Sequence, residues 1–253
     1  MLCDFPEHAI LLSQRDCGIP SLNSGYGMLG QVNPTAFDLN FHIANIPVRV
    51  HPMFWLVSAV FGWNANNPQQ VILWVLCVFV SILIHELGHA LVQRKFGYDP
   101  EIVLHGFGGY AMYHETHRCG TFRSILISFA GPAAGFLFYA LLIPLSYVVL
   151  QSESLRQNIN LRLTLAFLEH INLWWGLINL LPVLPLDGGR ICYHILTHFR
   201  RHDGEIWARR ISMLVGFTIA VLMFQMRQPY AAILFLMLGI ENLQALQRWG
   251  GGY

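Results

Sequence analysis

Long apolar stretches alternate along this chain with short segments that gather its Gly, Pro, Asn and Arg residues. Runs near Val48–Trp63, Val71–Val92, Ser124–Leu150, Leu163–Leu181, Ile211–Met226 and Tyr230–Leu246 each approach the roughly 20 residues a helix needs to cross a bilayer. The pattern predicts an α-helical polytopic membrane protein with about six transmembrane helices. The first run is short. Ahead of the fifth, "GRICYHIL" reads as a half-embedded helix leading into the basic "HFRRHDGE".

A different period appears between the second and third runs. "EIVLHGFGGYAMY", Glu101–Tyr113, alternates in character and breaks at Gly106–Gly109, which predicts a small membrane-associated β-hairpin or sheet. Residues 1–40 carry scattered Gly, Pro, Asn and Ser, no basic leader and too short an apolar core for a secretory signal. They are expected to be a poorly ordered extension, ahead of a membrane domain over 41–248 and a short tail over 249–253. Patterned sequence begins only after Met28, so translation starting there is a further expectation.

Composition sharpens the membrane reading. Of 253 residues, 55% are hydrophobic and 11% charged, against the roughly 25% charged residues of soluble domains. The net charge of +1 and the lack of any long basic or acidic run exclude nucleic acid as an expected partner. Cys3, Cys17, Cys77, Cys119 and Cys192 are odd in number and lack CxxC spacing, so neither a disulfide framework nor a thiolate zinc site is indicated. Basic residues set the expected orientation. With the amino terminus inside, Arg94, Lys95, Arg190, Arg200, Arg201 and others fall on the inner side, while Arg156, Arg162 and Arg227 fall outside. A site near His89 then lies toward the cytoplasmic end of the second span.

The chemistry is in "SILIHELGHALVQRKFG", Ser81–Gly97. An ionisable side chain at bilayer depth costs about 2.5 to 3.5 kcal/mol on insertion scales, so His85, Glu86 and His89 need compensation. On a helix His85 and His89 stand one turn apart on one face and can offer two imidazoles to one zinc ion, with Glu86 adjacent as the base for a bound water. Two histidines bonding within a helix interface are the plainer alternative. A catalytic zinc commonly takes a third protein ligand. The candidate is Asp187 in "NLLPVLPLDGG", where Pro182 and Pro185 interrupt the helix and Gly188–Gly189 permit a tight turn aiming the carboxylate inward. Alone, Leu-Asp-Gly-Gly is an ordinary turn; paired with HExxH it becomes specific.

Taken together, "HELGH", "NLLPVLPLDGG", "LHGFGGY", "FAGPAAG" and the lead-in "IPVRVHPMFW" resemble the site-2 proteases, intramembrane zinc metalloproteases, across roughly Phe41–Met226. No PDZ or CBS domain is recognised, and Gly135 stands where members of the family often have Asn. The resemblance implies one zinc ion held by His85, His89 and Asp187, with Glu86 as the catalytic residue. It implies cleavage of a peptide bond within or next to a membrane span of a protein substrate. It favours Asn179 as a substrate or oxyanion ligand, and substrate presentation by the hairpin carrying Gly108 and Gly109. Asn172 reads as an interhelical hydrogen bond and "FAGPAAG" as close packing. Glu169–His170 reads as a local ion pair or interfacial pair, Trp174 and Trp175 as packing, and His105, His114 and His117 as exposed loop residues. The competing class is a non-proteolytic zinc-binding protein or metal transporter, which would spread its ligands along a path. The expected location is a multi-pass position in the cell inner membrane if the source is bacterial, with the site facing the cytoplasm.

Overall fold

The computed structural model describes residues 33–64, 67–106, 108–113 and 120–250. The chain divides into units 1–32 and 33–253, of which only the second is described here. The expected disordered extension over its first 32 residues, the Met28 start, His114, His117 and residues 251–253 therefore lie outside the described residues.

Twelve elements follow one another: β1 (Leu39–Ile43), β2 (Ile46–Val50), α1 (Pro52–Phe61), α2 (Pro68–Lys95), β3 (Pro100–His105), β4 (Gly108–Tyr113), α3 (Thr121–Gln151), α4 (Glu153–Arg156), α5 (Ile159–Asn179), α6 (Asp187–Phe199), α7 (Gly204–Gln225) and α8 (Pro229–Gly250). The fold is thus mostly helical with one small four-stranded sheet, in the order β1-β2-β3-β4. The expected hairpin is present as β3–β4, pairing His105 with Gly108 and Pro100 with Tyr113. A second hairpin, β1–β2, extends it, and β2 runs parallel to β3 with Val48 opposite Ile102. The β1–β2 turn is made by Ala44 and Asn45, both at positive φ (49° and 60°), which matches the twist a two-residue hairpin loop requires.

Among the described residues four helices are long and apolar enough to cross a membrane: Pro68–Lys95, Thr121–Gln151, Gly204–Gln225 and Pro229–Arg248. The expected first span, Val48–Trp63, is a strand followed by a ten-residue helix. Pro52 opens that helix, and the strand before it buries Val48 and Val50 on the sheet face rather than in lipid. Helix α5 has 21 residues, but Arg162, Glu169 and His170 interrupt its apolar character, and it is not among the four.

Alternation decides where the sheet packs. Ile46, Val48 and Val50 point inward, joining Ile102 and Leu104 against Phe54, Ile82, Leu83 and Ala90. The sheet thereby lies over α2. That helix starts at Asn67, whose side chain accepts from the Gln70 N–H, with Pro68 at the first position, and ends on Arg94 and Lys95. Along one face it buries Cys77, Ser81, His85, His89 and Gln93, each one turn from the last. This polar stripe inside an apolar helix faces its neighbours α3 and α5. Asn172 of α5 donates to Ser81 Oγ at 2.8 Å, the interhelical bond expected of it.

Candidate metal centre

His85 and His89 come from one helix, and their spacing is a property of that helix. Their Nε2 atoms lie 3.2 Å apart. Asp187 comes from a different element, yet its Oδ2 sits 3.0 Å from His85 Nε2 and its Oδ1 3.3 Å from His89 Nε2. All three residues are buried, and their ligand atoms fall within 4.8 Å of one another. Zinc bonds of 2.0–2.1 Å in a tetrahedron set the donors about 3.3 Å apart. The two imidazole nitrogens already have that spacing, each has one oxygen of the Asp187 carboxylate at a similar distance, and two neutral imidazoles with one carboxylate are a zinc ligand set. The residues fit the ion.

Outer contacts fix the ligands. His89 Nδ1 lies 2.7 Å from the carbonyl oxygen of Ile127 on α3. A carbonyl only accepts, so Nδ1 carries the proton and Nε2 keeps its lone pair for a metal. Gly131, one turn further along α3, makes room for both rings. A Cβ there would fall 2.2 Å from His89 Nε2 and 2.7 Å from His85 Nε2.

Asp187 is the first residue of α6, where the aligned peptide dipoles favour a negative charge. The expected role of Gly188–Gly189 as the turn is corrected by the structure. Both lie inside the first turn of α6, and the change of direction is made upstream, over Leu180–Leu186. The glycines serve close approach instead. A Cβ on Gly188 would meet Leu180 O at 2.1 Å, and one on Gly189 would meet Leu184 N at 2.4 Å.

Glu86 is buried beside the two histidines at 3% exposure. Gly109 of β4 approaches it so closely that a Cβ would fall 2.6 Å from Glu86 Cγ. Gly108, at φ +126°, abuts the Trp175 ring, which in turn lies 6.4 Å from the His85 ring. The sheet edge and the metal ligands therefore share one neighbourhood. Asn179 sits at the end of α5, buried, with its Nδ2 donating to Trp175 O at 3.0 Å.

Other polar residues resolve differently from expectation. His105 is buried at 8% exposure on β3, beside Tyr110, rather than exposed in a loop. Its burial, and secondarily the nearby His51, hold its pKa below the usual imidazole value. Glu169 accepts a hydrogen bond from Ser146 of α3, a helix–helix contact in place of an ion pair with its neighbour. His170 is exposed and lies beside Trp174. Three contributors had no signal in residue spacing: Gly131, hidden in a small-residue packing motif; Trp175, hidden among apolar neighbours; and the backbone of Ile127. Only the chance that a glycine marks close approach to a functional side chain could have pointed to the first.

The arrangement has the form of a metallopeptidase centre: two histidines one helical turn apart, a distant carboxylate completing the donor set, and a glutamate alongside. Comparison with known proteins agrees. The profile of peptidase family M50 matches residues 144–223, a segment that contains Asp187. A zinc metalloprotease of Methanocaldococcus jannaschii is 33% identical over 187 residues, covering 72% of this chain and 51% of that protein. The stage IV sporulation protein FB of Bacillus subtilis is 28% identical over 153 residues, covering 60% of this chain and 48% of its own length. The chain thus spans about half the length of these curated relatives. Among solved structures, a site-2 protease from Methanocaldococcus jannaschii superimposes with a TM-score of 0.61 at 27% identity, covering 83% of this chain and 95% of that one. Residues 144–223 match peptidase family M50, and the chain shares its fold with a site-2 protease; it is an integral membrane protein.

Proposed function

We propose that this protein is an intramembrane zinc metalloendopeptidase that hydrolyses a peptide bond within or next to a membrane span of a protein substrate. The observation that carries the reading is the convergence of His85, His89 and Asp187, their ligand atoms within 4.8 Å of one another, with Glu86 buried beside them. Zinc held there supplies a Lewis acid and brings the pKa of its water down to about 7. His85, His89 and Asp187 hold the ion. Glu86 takes the proton as water adds to the scissile carbonyl carbon, then delivers it to the amide nitrogen as the C–N bond breaks. A buried ion of charge two is balanced by the two carboxylates Asp187 and Glu86, so the members stabilise together what each alone would make costly.

A helical substrate must expose its backbone before attack. Among the described residues strand β4 ends the sheet order, paired with β3 alone, and passes beside Glu86 at Gly109. An unwound substrate segment adding to that edge comes within reach of the site. Gly108 and Gly109 are the substrate-binding residues in this reading, and Asn179 at the end of α5 holds the substrate backbone or the developing oxyanion. The catalytic domain covers 41–248, with its site toward the cytoplasmic face of a multi-pass protein, in the inner membrane for a bacterial source. A count of six crossings requires α5 and the β2–α1 segment to enter the bilayer besides the four long helices.

The test is co-expression with single-span substrate proteins. Cleavage is expected for the unsubstituted chain and lost in Glu86→Gln, with zinc content retained. Cleavage that survives Glu86→Gln defeats the reading, and zinc flux in proteoliposomes insensitive to that substitution favours a transporter.

A further inference from the structure

The two histidines are held at their spacing by a single helix, whereas Asp187 stands at the very start of α6, directly after the loop that leaves α5. Its position depends on what holds that loop. Leu184, three residues before Asp187, is fixed at both of its backbone polar groups by two helices that carry no metal ligand. Its N–H donates to Ser212 Oγ of α7 at 3.0 Å, and its carbonyl accepts from Asn242 Nδ2 of α8 at 2.8 Å. Both side chains are 1% exposed. Each is itself pinned one turn back along its own helix: Ser212 donates to Ala208 O at 2.9 Å, and Asn242 donates its second proton to Leu238 O at 2.9 Å.

The helices are built to bring these two groups to one peptide. A Cβ on Gly216 would meet Gly239 Cα at 3.3 Å, so α7 and α8 are in near-backbone contact there. Ser212 precedes Gly216 by one turn and Asn242 follows Gly239 by about one turn in the antiparallel neighbour. They therefore arrive at the same level, one on each side of Leu184. The first turn of α6 closes directly on the clamped residue, since Gly189 lies against Leu184 N.

We propose that Ser212 and Asn242 are positioning residues for the metal centre, acting through Leu184 to set the distance from the Asp187 carboxylate to the two imidazoles. This rests on the zinc reading above. The physical reason is that coordination tolerates little displacement, while a loop between helices has few constraints of its own; outer contacts that orient ligands typically change metal affinity 10- to 100-fold when removed. The α7–α8 pair, silent in every motif, becomes the frame on which the third ligand is mounted.

The experiment is a competitive chelator titration of zinc on the purified full chain in detergent, with cobalt substitution as a spectroscopic readout. Ser212→Ala and Asn242→Leu are expected to weaken zinc binding by about 10- to 100-fold and to lower the intensity of the tetrahedral cobalt absorption. Ser212→Thr, which keeps the hydroxyl, restores affinity. Phe235→Ala, which removes buried packing from α8 without touching either bond, lowers thermal stability and leaves the zinc dissociation constant within about twofold. Should a variant fail to fold, the near-isosteric Ser212→Cys substitutes for it, with a smaller loss expected. Zinc affinities of the Ser212 and Asn242 variants equal to that of the unsubstituted chain overturn the clamp, whatever their thermal stability. An unsubstituted chain that binds no zinc defeats the metal reading itself, a result that the chelator titration separates from the first.

Discussion

Gly131 and His89 occupy the same small volume: a Cβ on the glycine would stand 2.2 Å from the imidazole Nε2, closer than any two such atoms can approach. The metal-binding face of α2 exists because α3 has no side chain at that point. Gly131→Ala is therefore expected to push the ring out of line, with loss of zinc content by at least about tenfold in affinity. Metal analysis of the purified variant, with circular dichroism to confirm the helices, checks it. A variant that retains full zinc would show that the rings have room to move.

Gly109 stands in the same relation to Glu86: a Cβ there would fall 2.6 Å from its Cγ, and the three atoms it would meet most closely belong to Glu86 and Leu104 and to no metal ligand. Gly109→Val is expected to lower the cleavage rate by about 100-fold, the lower end of what a displaced general base costs. Zinc content is expected to stay at one ion per chain. Parallel measurement of turnover and metal separates this from Gly131→Ala, which removes both.

Asn172 bonds Ser81 and Leu168 O and reaches no ligand. Asn172→Leu is expected to destabilise the protein by about 1 kcal/mol, in the range of hydrogen bonds between membrane helices. Activity per folded molecule is expected to be unchanged. Thermal denaturation alongside a cleavage assay decides it; a loss of turnover without loss of stability would place Asn172 in the site.

His105 is kept neutral by burial and by the nearby His51, so its folded-state pKa lies below its unfolded value near 6.5. Below that value the unfolded chain binds a proton that the folded chain refuses, and stability falls as the pH falls. At and above neutral pH the contribution is fully present. His105→Asn is expected to flatten the decline in melting temperature between pH 7 and 5 relative to the unsubstituted chain. An equal slope in both proteins would show that other groups set it.

What could be read in advance followed the range of the interaction. His85, Glu86 and His89 are a local pattern: one helical turn suffices to say that the imidazoles share a face, and an apolar surrounding says they need a partner. Asp187 was legible because a carboxylate between prolines and glycines is conspicuous in an oily chain. The sheet was half legible, as Gly106–Gly109 announced β3–β4. Its other half was not, since Val48–Trp63 has the hydropathy of a span, and average apolarity does not separate a strand buried on a sheet face from a helix in lipid. The purpose of Gly188 and Gly189 was misassigned for a related reason. Composition signals a permissive backbone, while whether that freedom serves a turn or a close approach depends on what lies opposite. Ser212 had no local sign, because its meaning depends on a loop in another part of the chain; Asn242, a polar residue near the end of the last span, announces an interface or helix contact but not which segment it holds.

The parallel pairing of β2 with β3 has a consequence for biogenesis. The whole of α1 and α2 lies between the two strands, so β2 leaves the ribosome with its eventual partner still unsynthesised, and the sheet can close only after the HExxH helix has been made. Through that interval the edge of β2 that will face β3 has no strand to pair with, although β1 already covers its other edge.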